Sequence, residues 1–331
     1  MSSGIGIVVI GRNEGERLRR CLAGMPFDRV PVVYVDSGST DGSLQLANAF
    51  GACGVALDLS VPFTAARARN LGFKTLLDIR PELEFVQFVD GDCALLPGWL
   101  EAASEAMAAN LRRAVVIGQL IERNPDASVY NRLCALEWSS PAGDLTNYGA
   151  LGGIMLVRVS TFKALGGFNP QVIAGEDSEF GVRCGLAGHV VTKLARPMAI
   201  HDADIHSFAQ WWTRAVRSGH AIGQRVGLNG SGPLRDCRRD QRSALAWGLG
   251  LPVTAVALAP ITGGLSLLAA GGGFCLLAAR IYRFRRNGGD SAPDAWLYAR
   301  HMVLAKFAQV IGLARYHVNS FRGQYRIIEY K

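Results

Sequence analysis

The chain has 331 residues, 49% of them hydrophobic, a mean hydropathy of +0.17, and 35 Lys and Arg against 27 Asp and Glu, a net charge of +8. That length suits one sizeable domain with an appendage, and the composition is too apolar for a freely soluble protein, so part of the chain is expected to touch lipid. Up to Ile205 there are 18 basic and 22 acidic residues, and beyond it 17 and 5, so a mildly acidic part precedes a strongly basic one.

Residues 5–10 form a compact β-branched run, the pattern of a strand buried on both faces. A helix over 14–22 follows, then a short strand at 32–35 closed by the turn-rich Asp36-Ser37-Gly38-Ser39-Thr40-Asp41-Gly42. Helices are predicted at 43–50 and 63–77, and a strand at 85–89 ends on Asp90-Gly91-Asp92. Next come a helix at 99–110, strands at 114–120 and 152–157, a short helix at 160–166, a helix at 176–187, and strands at 189–194 and 196–200. This alternation predicts an α/β domain over residues 1–205 with a mostly parallel sheet flanked by helices.

Beyond it the composition changes. Residues 206–226 suit an amphipathic helix with Phe208, Trp211 and Trp212 beside Arg214 and Arg217, either lying in a membrane interface or packing an aromatic face on a core. With the basic linker that follows, this region runs to 243. Residues 244–279 contain no charged residue, and the apolar region as a whole is placed at 244–281. It exceeds one span and falls short of two full ones, and Pro252, Pro260, Gly263-Gly264 and Gly271-Gly272-Gly273 are expected to interrupt it. A re-entrant hairpin or two short helices fit, with a buried helical hairpin as the bland alternative. Arginines bracket both ends, so both are expected on the cytoplasmic side. Residues 282–331 form a basic helical tail, with a helix over 295–314.

The seven cysteines show no C-x-x-C or His-flanked spacing and read as reduced cytosolic thiols rather than a zinc site. Residues 4–10 are too short, and lack the basic lead-in, for a signal peptide. A dinucleotide dehydrogenase is excluded at the start: Gly4-x-Gly6 precedes the first strand and lacks its third glycine. The basic charges bracket an apolar run, which favours lipid and argues for no nucleic acid.

Two aspartates flanking a glycine at the end of a buried strand can hold a divalent cation, although Asp-x-Asp alone is a common turn sequence. The company it keeps is more specific. IVVIGRNEG from Ile7, VVYVDSGSTDGS from Val32, FTAARARNLG from Phe63, FVQFVDGDC from Phe85, LGGIMLVR from Leu151 and GGFNPQVIAGEDSEFGVRCGLAGH from Gly166 occur in that order. Together they resemble the family 2 glycosyltransferases over roughly the first two thirds of the chain.

The resemblance implies a GT-A fold, a nucleoside-diphosphate sugar donor, a divalent cation (Mn²⁺ or Mg²⁺) and an inverting transfer. By position, Asn13 and Glu14 would meet the nucleotide and Asp36 the base or ribose, with Ser37 in place of the commoner second Asp. Arg69 would lie near the donor or form an ion pair. Asp90 would reach ribose or metal, Asp92 would bind the metal, and His201 matches a metal-binding histidine. Glu176-Asp177 resembles the family's Glu-Asp pair at a helix head, with Asp177 as the base, Glu176 the alternative and Glu179 a third. Simpler structural roles exist for each: Asp36 organising its own turn, Asn13 or Asp41 capping a helix, the acidic pair serving the helix dipole.

Gln210-Trp211-Trp212-Thr213-Arg214 has the composition but not the spacing of the Gln-x-x-Arg-Trp found in processive synthases, which argues for single transfers. The chain thus reads as a glycosyltransferase at the cytoplasmic face of the inner (plasma) membrane. Its acceptor would be lipid-linked or a glycan, in cell-envelope or exopolysaccharide synthesis. A non-catalytic nucleotide-sugar-binding membrane protein is the alternative.

Overall fold

Ile7, Val8 and Val9 are completely buried because the strand they form, β1 (Ile5–Gly11), has packed layers on both sides. In the computed structural model, which describes residues 4–149, 151–323, 328 and 329, the chain then runs as follows. After β1 come α1 (Glu16–Ala23), β2 (Val32–Asp36), α2 (Ser43–Phe50), β3 (Cys53–Ala56), α3 (Ala65–Ile79), β4 (Phe85–Asp90) and β5 (Cys93–Leu95). Then follow α4 (Trp99–Ala109), β6 (Arg113–Glu122), α5 (Val129–Trp138), β7 (Gly143–Asp144), β8 (Met155–Arg158), α6 (Val159–Ala164), α7 (Glu176–Leu186) and β9 (Val190–His201). The remainder is helical: α8 (Phe208–Asn229), α9 (Arg238–Leu245), a π-turn at Ala246–Gly250, α10 (Leu251–Thr262), α11 (Leu265–Asn287) and α12 (Ala292–Arg322).

Two units result, the first running to Asn124 and again over Glu137–Ala203, the second comprising Pro125–Leu136 and the chain from Asp204. Most of α5 therefore belongs with the C-terminal helices, although its sequence lies inside the stretch 1–205. The link is polar: Asn131 Oδ1 accepts the Ile205 N–H at 2.9 Å, and Arg132 grips Asp294 at 2.7 and 2.8 Å.

The first unit is built on a nine-stranded sheet in the order β3-β2-β1-β4-β8-β6-β9-β5, with β7 on β9. Val8 and Ile10 face one apolar layer with Ala66, Phe73 and Leu76 of α3, while Ile7 and Val9 face another with Leu18 and Leu22 of α1 and Trp99 of α4. The sheet is mixed rather than mostly parallel: β4–β8, β8–β6, β9–β5 and β9–β7 are antiparallel. A strand buried on both faces is a continuous apolar run in either direction, so its sequence does not tell which way it points. The expected strands at 189–194 and 196–200 are one, β9, with Pro197 accommodated beside Gln119 where the register against β6 shifts. Edge strand β3 was not foreseen, being half-exposed and without alternation.

In the second unit α8 and α12 cross at glycines: a Cβ on Gly219 would meet the Gln309 backbone and one on Gly312 the Val216 carbonyl. The α8 aromatics divide, Trp211 being buried between Tyr130 and His301 while Phe208 stays exposed. Ser207 and Gln210 close a reciprocal N-terminal cap on α8. Two helices, Arg238–Thr262 and Leu265–Asn287, are long and apolar enough to cross a membrane, at roughly 1.5 Å per residue. Their apolar side chains point outward, Ile261 being 83% and Leu268 73% exposed, as a buried soluble hairpin would not be. The turn is Gly263-Gly264, both at left-handed φ (59° and 87°). Gly271-Gly272-Gly273 and Pro260, expected as breaks, lie inside α11 and α10, and Pro252 directly follows the π-turn within the continuous helix Arg238–Thr262.

His220 is buried in this unit against Tyr316, and burial, helped by Arg315, lowers its pKa to about 4. An unfolded histidine titrates near 6.5, so between there and about 4 only the unfolded chain takes up the proton. The helical unit is expected to keep its full stability above about pH 6.5 and lose it progressively toward pH 4. Melting in detergent across that range checks this; a His220→Phe variant should lose that part of the slope.

Candidate active site

The site starts from the loops at the C-terminal ends of β1, β2 and β4, where an open α/β sheet leaves a crevice. Asn13, at φ 55°, stitches the first two loops together: its N–H donates to Ser39 Oγ (2.9 Å) and its Oδ1 accepts the Thr40 N–H (2.7 Å). Gly15 N–H reaches Asp41 at 2.9 Å, and Glu14 pairs with Arg17 at 2.9 Å. Asp36 is buried, accepting the N–H groups of Gly38 (3.0 Å) and Ser39 (2.8 Å) and the Tyr34 hydroxyl (3.2 Å). Its carboxylate thus organises the turn, and Asp41 laces loops together rather than simply capping a helix.

Arg69 lies on α3, whose N-terminus is capped by Thr64, and is only 2% exposed. Its two terminal nitrogens divide: Nη2 binds Asp90 Oδ1 at 2.5 Å, and Nη1 binds Glu176 Oε1. Burial pulls the guanidinium toward losing its proton, but Asp90, Glu176 and Asp177 outweigh this and hold it cationic. Burial raises the Asp90 pKa, Arg69 opposes that, and Asp92 adds to it. Sequence left Arg69 between a donor contact and a surface ion pair. It is a buried ion-pair hub joining the Asp-Gly-Asp loop to the head of α7.

At that head Gly175, at φ 78°, starts the helix, and Glu176, Asp177 and Glu179 occupy its first turn, where the helix dipole favours negative charge. The three acids have separate fates. Glu176 is held by Arg69. Glu179 is engaged by Arg183 at 2.8–3.0 Å. Asp177 Oδ2 accepts the N–H groups of Gly152 (2.6 Å) and Gly153 (3.3 Å), both at positive φ (86° and 70°). Both glycines belong to the segment LGGIMLVR. Their backbone conformation, which Cβ-bearing residues rarely adopt, aims two donors at Asp177.

The third corner is set by strand register. In the sheet His201, the last residue of β9, lies between Cys93 of β5 and Glu122 of β6. Ligand atoms of Asp92, Cys93 and His201 all lie within 4.8 Å of one another, with His201 Nε2 3.6 Å from Asp92 Oδ2. Cys93 Sγ lies 3.2 Å from Asp92 Oδ1, and burial with the nearby aspartates pushes its thiol pKa well up, so it is protonated beside the carboxylate. One carboxylate and one imidazole, with the rest of the coordination shell left to phosphate and water, fit a Mn²⁺- or Mg²⁺-like ion better than zinc, which takes four protein ligands in structural sites. Asp90 is drawn to Arg69 and is outside this cluster.

Glu122 was missed in the sequence. It is buried, its Oε2 faces His201 Nδ1 at 3.3 Å, and it accepts the Ala203 N–H. It orients the imidazole so that Nε2 faces Asp92, the carboxylate–histidine arrangement common behind metal ligands. Trp138 packs edge-on against the same ring, 4.4 Å between centroids. The available signal was an acid at the end of a strand, as at Asp36 and Asp90, but β6 runs two residues past the expected 120.

The Glycosyl transferase family 2 pattern matches residues 6–165. No curated protein matches the chain. Among solved structures, a mannosyltransferase from Pyrobaculum calidifontis in complex with GDP-Man and Mn²⁺ is similar at TM-score 0.63 and 18% identity, over 95% of this chain and 87% of that one. S. aureus TarS (1-349) aligns at TM-score 0.50 and 15% identity, over 97% and 92%. Glucosyl-3-phosphoglycerate synthase from Mycobacterium tuberculosis, with Mg²⁺ and UDP, aligns at TM-score 0.51 and 16% identity, over 69% and 80%.

If Glu122 fixes the His201 ring, Glu122→Gln should weaken divalent-cation binding about 10- to 100-fold while leaving the fold intact. Mn²⁺ titration by calorimetry measures this; unchanged affinity would remove Glu122 from the site. The family 2 glycosyltransferase pattern over residues 6–165, set on a sheet of GT-A type, makes that segment a family 2 glycosyltransferase domain.

Proposed function

We propose that the enzyme transfers one sugar per encounter, with inversion, from a nucleoside-diphosphate sugar to an acceptor hydroxyl at the cytoplasmic face of the inner (plasma) membrane. The observation that carries this is the buried Arg69, which couples Asp90 beside Asp92 to the Glu176-Asp177 pair. A donor-and-cation corner and a candidate base then form one connected polar system.

In this reading Asn13, Glu14 and Asp36 shape the loops that receive the nucleotide, and Asp92 with His201 holds the cation, Asp90 lying alongside. A bound divalent cation would neutralise the diphosphate as it leaves. Asp177 takes the proton of the acceptor hydroxyl as its oxygen attacks the anomeric carbon. The C–O bond to the diphosphate breaks as the new glycosidic bond forms, and a single displacement inverts the centre. Glu176 is the weaker candidate because its Oε1 is already occupied by Arg69. Solved relatives holding GDP-Man with Mn²⁺, or UDP with Mg²⁺, support the donor class and the cation.

The acceptor is proposed to be lipid-linked, in cell-envelope or exopolysaccharide synthesis. The outward apolar side chains of α10 and α11 between arginine clusters support anchoring at the membrane, which raises the local concentration of such an acceptor. Single transfers are supported by Gln210, whose side chain caps α8 instead of serving a processive motif.

Asp92→Ala should abolish cation-dependent binding of nucleotide sugars, whereas Asp177→Asn should keep donor binding and slow transfer by about 10²- to 10⁴-fold. Transfer to membrane extracts at the unmutated rate in Asp177→Asn would reject that residue as the base. Deleting residues 244–279 should move the protein from the membrane pellet to the soluble fraction. A truncated chain that still sediments with membranes under carbonate washing would reject the hairpin as the anchor.

A further inference from the structure

In the second unit a cavity of about 340 Å³ is lined by Gly230, Ser231, Arg235, Arg238 and Arg242. Its volume is in the range, about 300–1,000 Å³, of small-ligand pockets. Three of its five lining residues are arginines, and neither Arg235 nor Arg242 has an acidic partner among the described residues. The nearest acids in sequence are accounted for. Asp236 is buried and bound by both ends of the Arg225 fork at 2.6 and 3.0 Å. Asp240, two positions from both Arg238 and Arg242, falls roughly 200° round the helix from each.

The loop that forms the cavity is held, not merely exposed. Arg235 (φ 48°) and Cys237 (φ 54°) both adopt the left-handed region, which non-glycine residues occupy only where their surroundings impose it. Asp236, between these two residues, is anchored by Arg225, and Arg238 Nε ties α9 back to the Gly230 carbonyl at 3.0 Å. Arg238 and Arg242 are one helical turn apart and so share a face. The arginines following the hairpin differ: Arg285 is bound to Asp290 and to the Leu136 carbonyl, and Arg286 to the Asp290 carbonyl.

We propose that this arginine pocket is a binding site for a phosphate group carried by an amphiphile, outside the catalytic unit. Guanidinium forks match phosphate oxygens in geometry and charge, and three converging cations repel until an anion joins them. The lipid origin follows from what continues the same helix: exposed Leu245, Leu249, Val253 and Val256 offer an apolar path for a hydrocarbon chain above the charged pocket. A headgroup phosphate at the base of a membrane-embedded helix satisfies both halves.

The test uses the full chain in neutral detergent, with a long-chain alkyl monophosphate, the alcohol of the same chain, and inorganic phosphate as probes, read by native mass spectrometry. The alkyl phosphate is expected to bind at least about tenfold more tightly than the alcohol. That preference should vanish in Arg235→Gln/Arg238→Gln/Arg242→Gln and persist in Arg280→Gln/Arg283→Gln/Arg286→Gln, which removes equal charge elsewhere. Arg242→Gln alone, an exposed position, gives a weaker version of the same loss should the triple variant not fold. Saturation by inorganic phosphate as tightly as by the alkyl phosphate would assign the pocket to free phosphate and overturn the lipid source. Equal loss in both triple variants, or none in either, would overturn the site altogether. Nucleotide-sugar binding, measured on the same samples, reports the catalytic unit, so its absence would count against the transferase reading and not against this pocket.

Discussion

One guanidinium organises the catalytic unit. Arg69 is buried with a carboxylate on each terminal nitrogen, Glu176 buried with it and Asp90 at the rim with its side chain 33% exposed. Removing one partner of a buried ion pair costs about 3–5 kcal/mol because the other charge is stranded. The loop after β4 and the first turn of α7 lie 86 residues apart between Asp90 and Glu176, yet this one side chain fixes their separation. It also divides the labour between adjacent acids. Glu176 is committed to the ion pair, while the hydrogen bonds Asp177 accepts among the described residues come from the backbone N–H groups of Gly152 and Gly153.

The cation corner uses a different device. Sheet register, not an ion pair, brings Asp92, Cys93 and His201 together, because β5 and β6 flank the end of β9. A buried Glu122 behind the ring converts that placement into an orientation. The two corners meet at Asp90-Gly91-Asp92, where the first aspartate turns to Arg69 and the second to His201.

The helical unit obeys other physics. Glycines let α8 and α12 approach to backbone contact, and the hairpin of α10 and α11 leaves its leucines and valines facing outward. Such a surface is costly in water and favourable in lipid. Its polar groups are correspondingly satisfied internally: Thr262 Oγ1 donates to the Leu258 carbonyl at 2.9 Å and Ser266 Oγ to that of Ala255 at 2.7 Å.

The apolar runs, the Gly263-Gly264 turn and the ordered motifs were legible in the chain itself. Local composition dictates that Ile5–Gly11 is a buried strand and that an uncharged apolar stretch follows residue 243, and the ordered motifs carry the resemblance to family 2 over residues 6–165. These features rest on neighbours within a turn or a strand. Strand direction, the inclusion of residues 125–136 with the C-terminal helices, the separate fates of Glu176, Asp177 and Glu179, and Glu122 behind His201 were not legible. Each depends on which residues meet across long sequence separations, and a carboxylate has the same spelling whether it faces a guanidinium, a backbone N–H or water. Only the tertiary fold decides that, because burial sets the strength of every such pairing and register sets the partner.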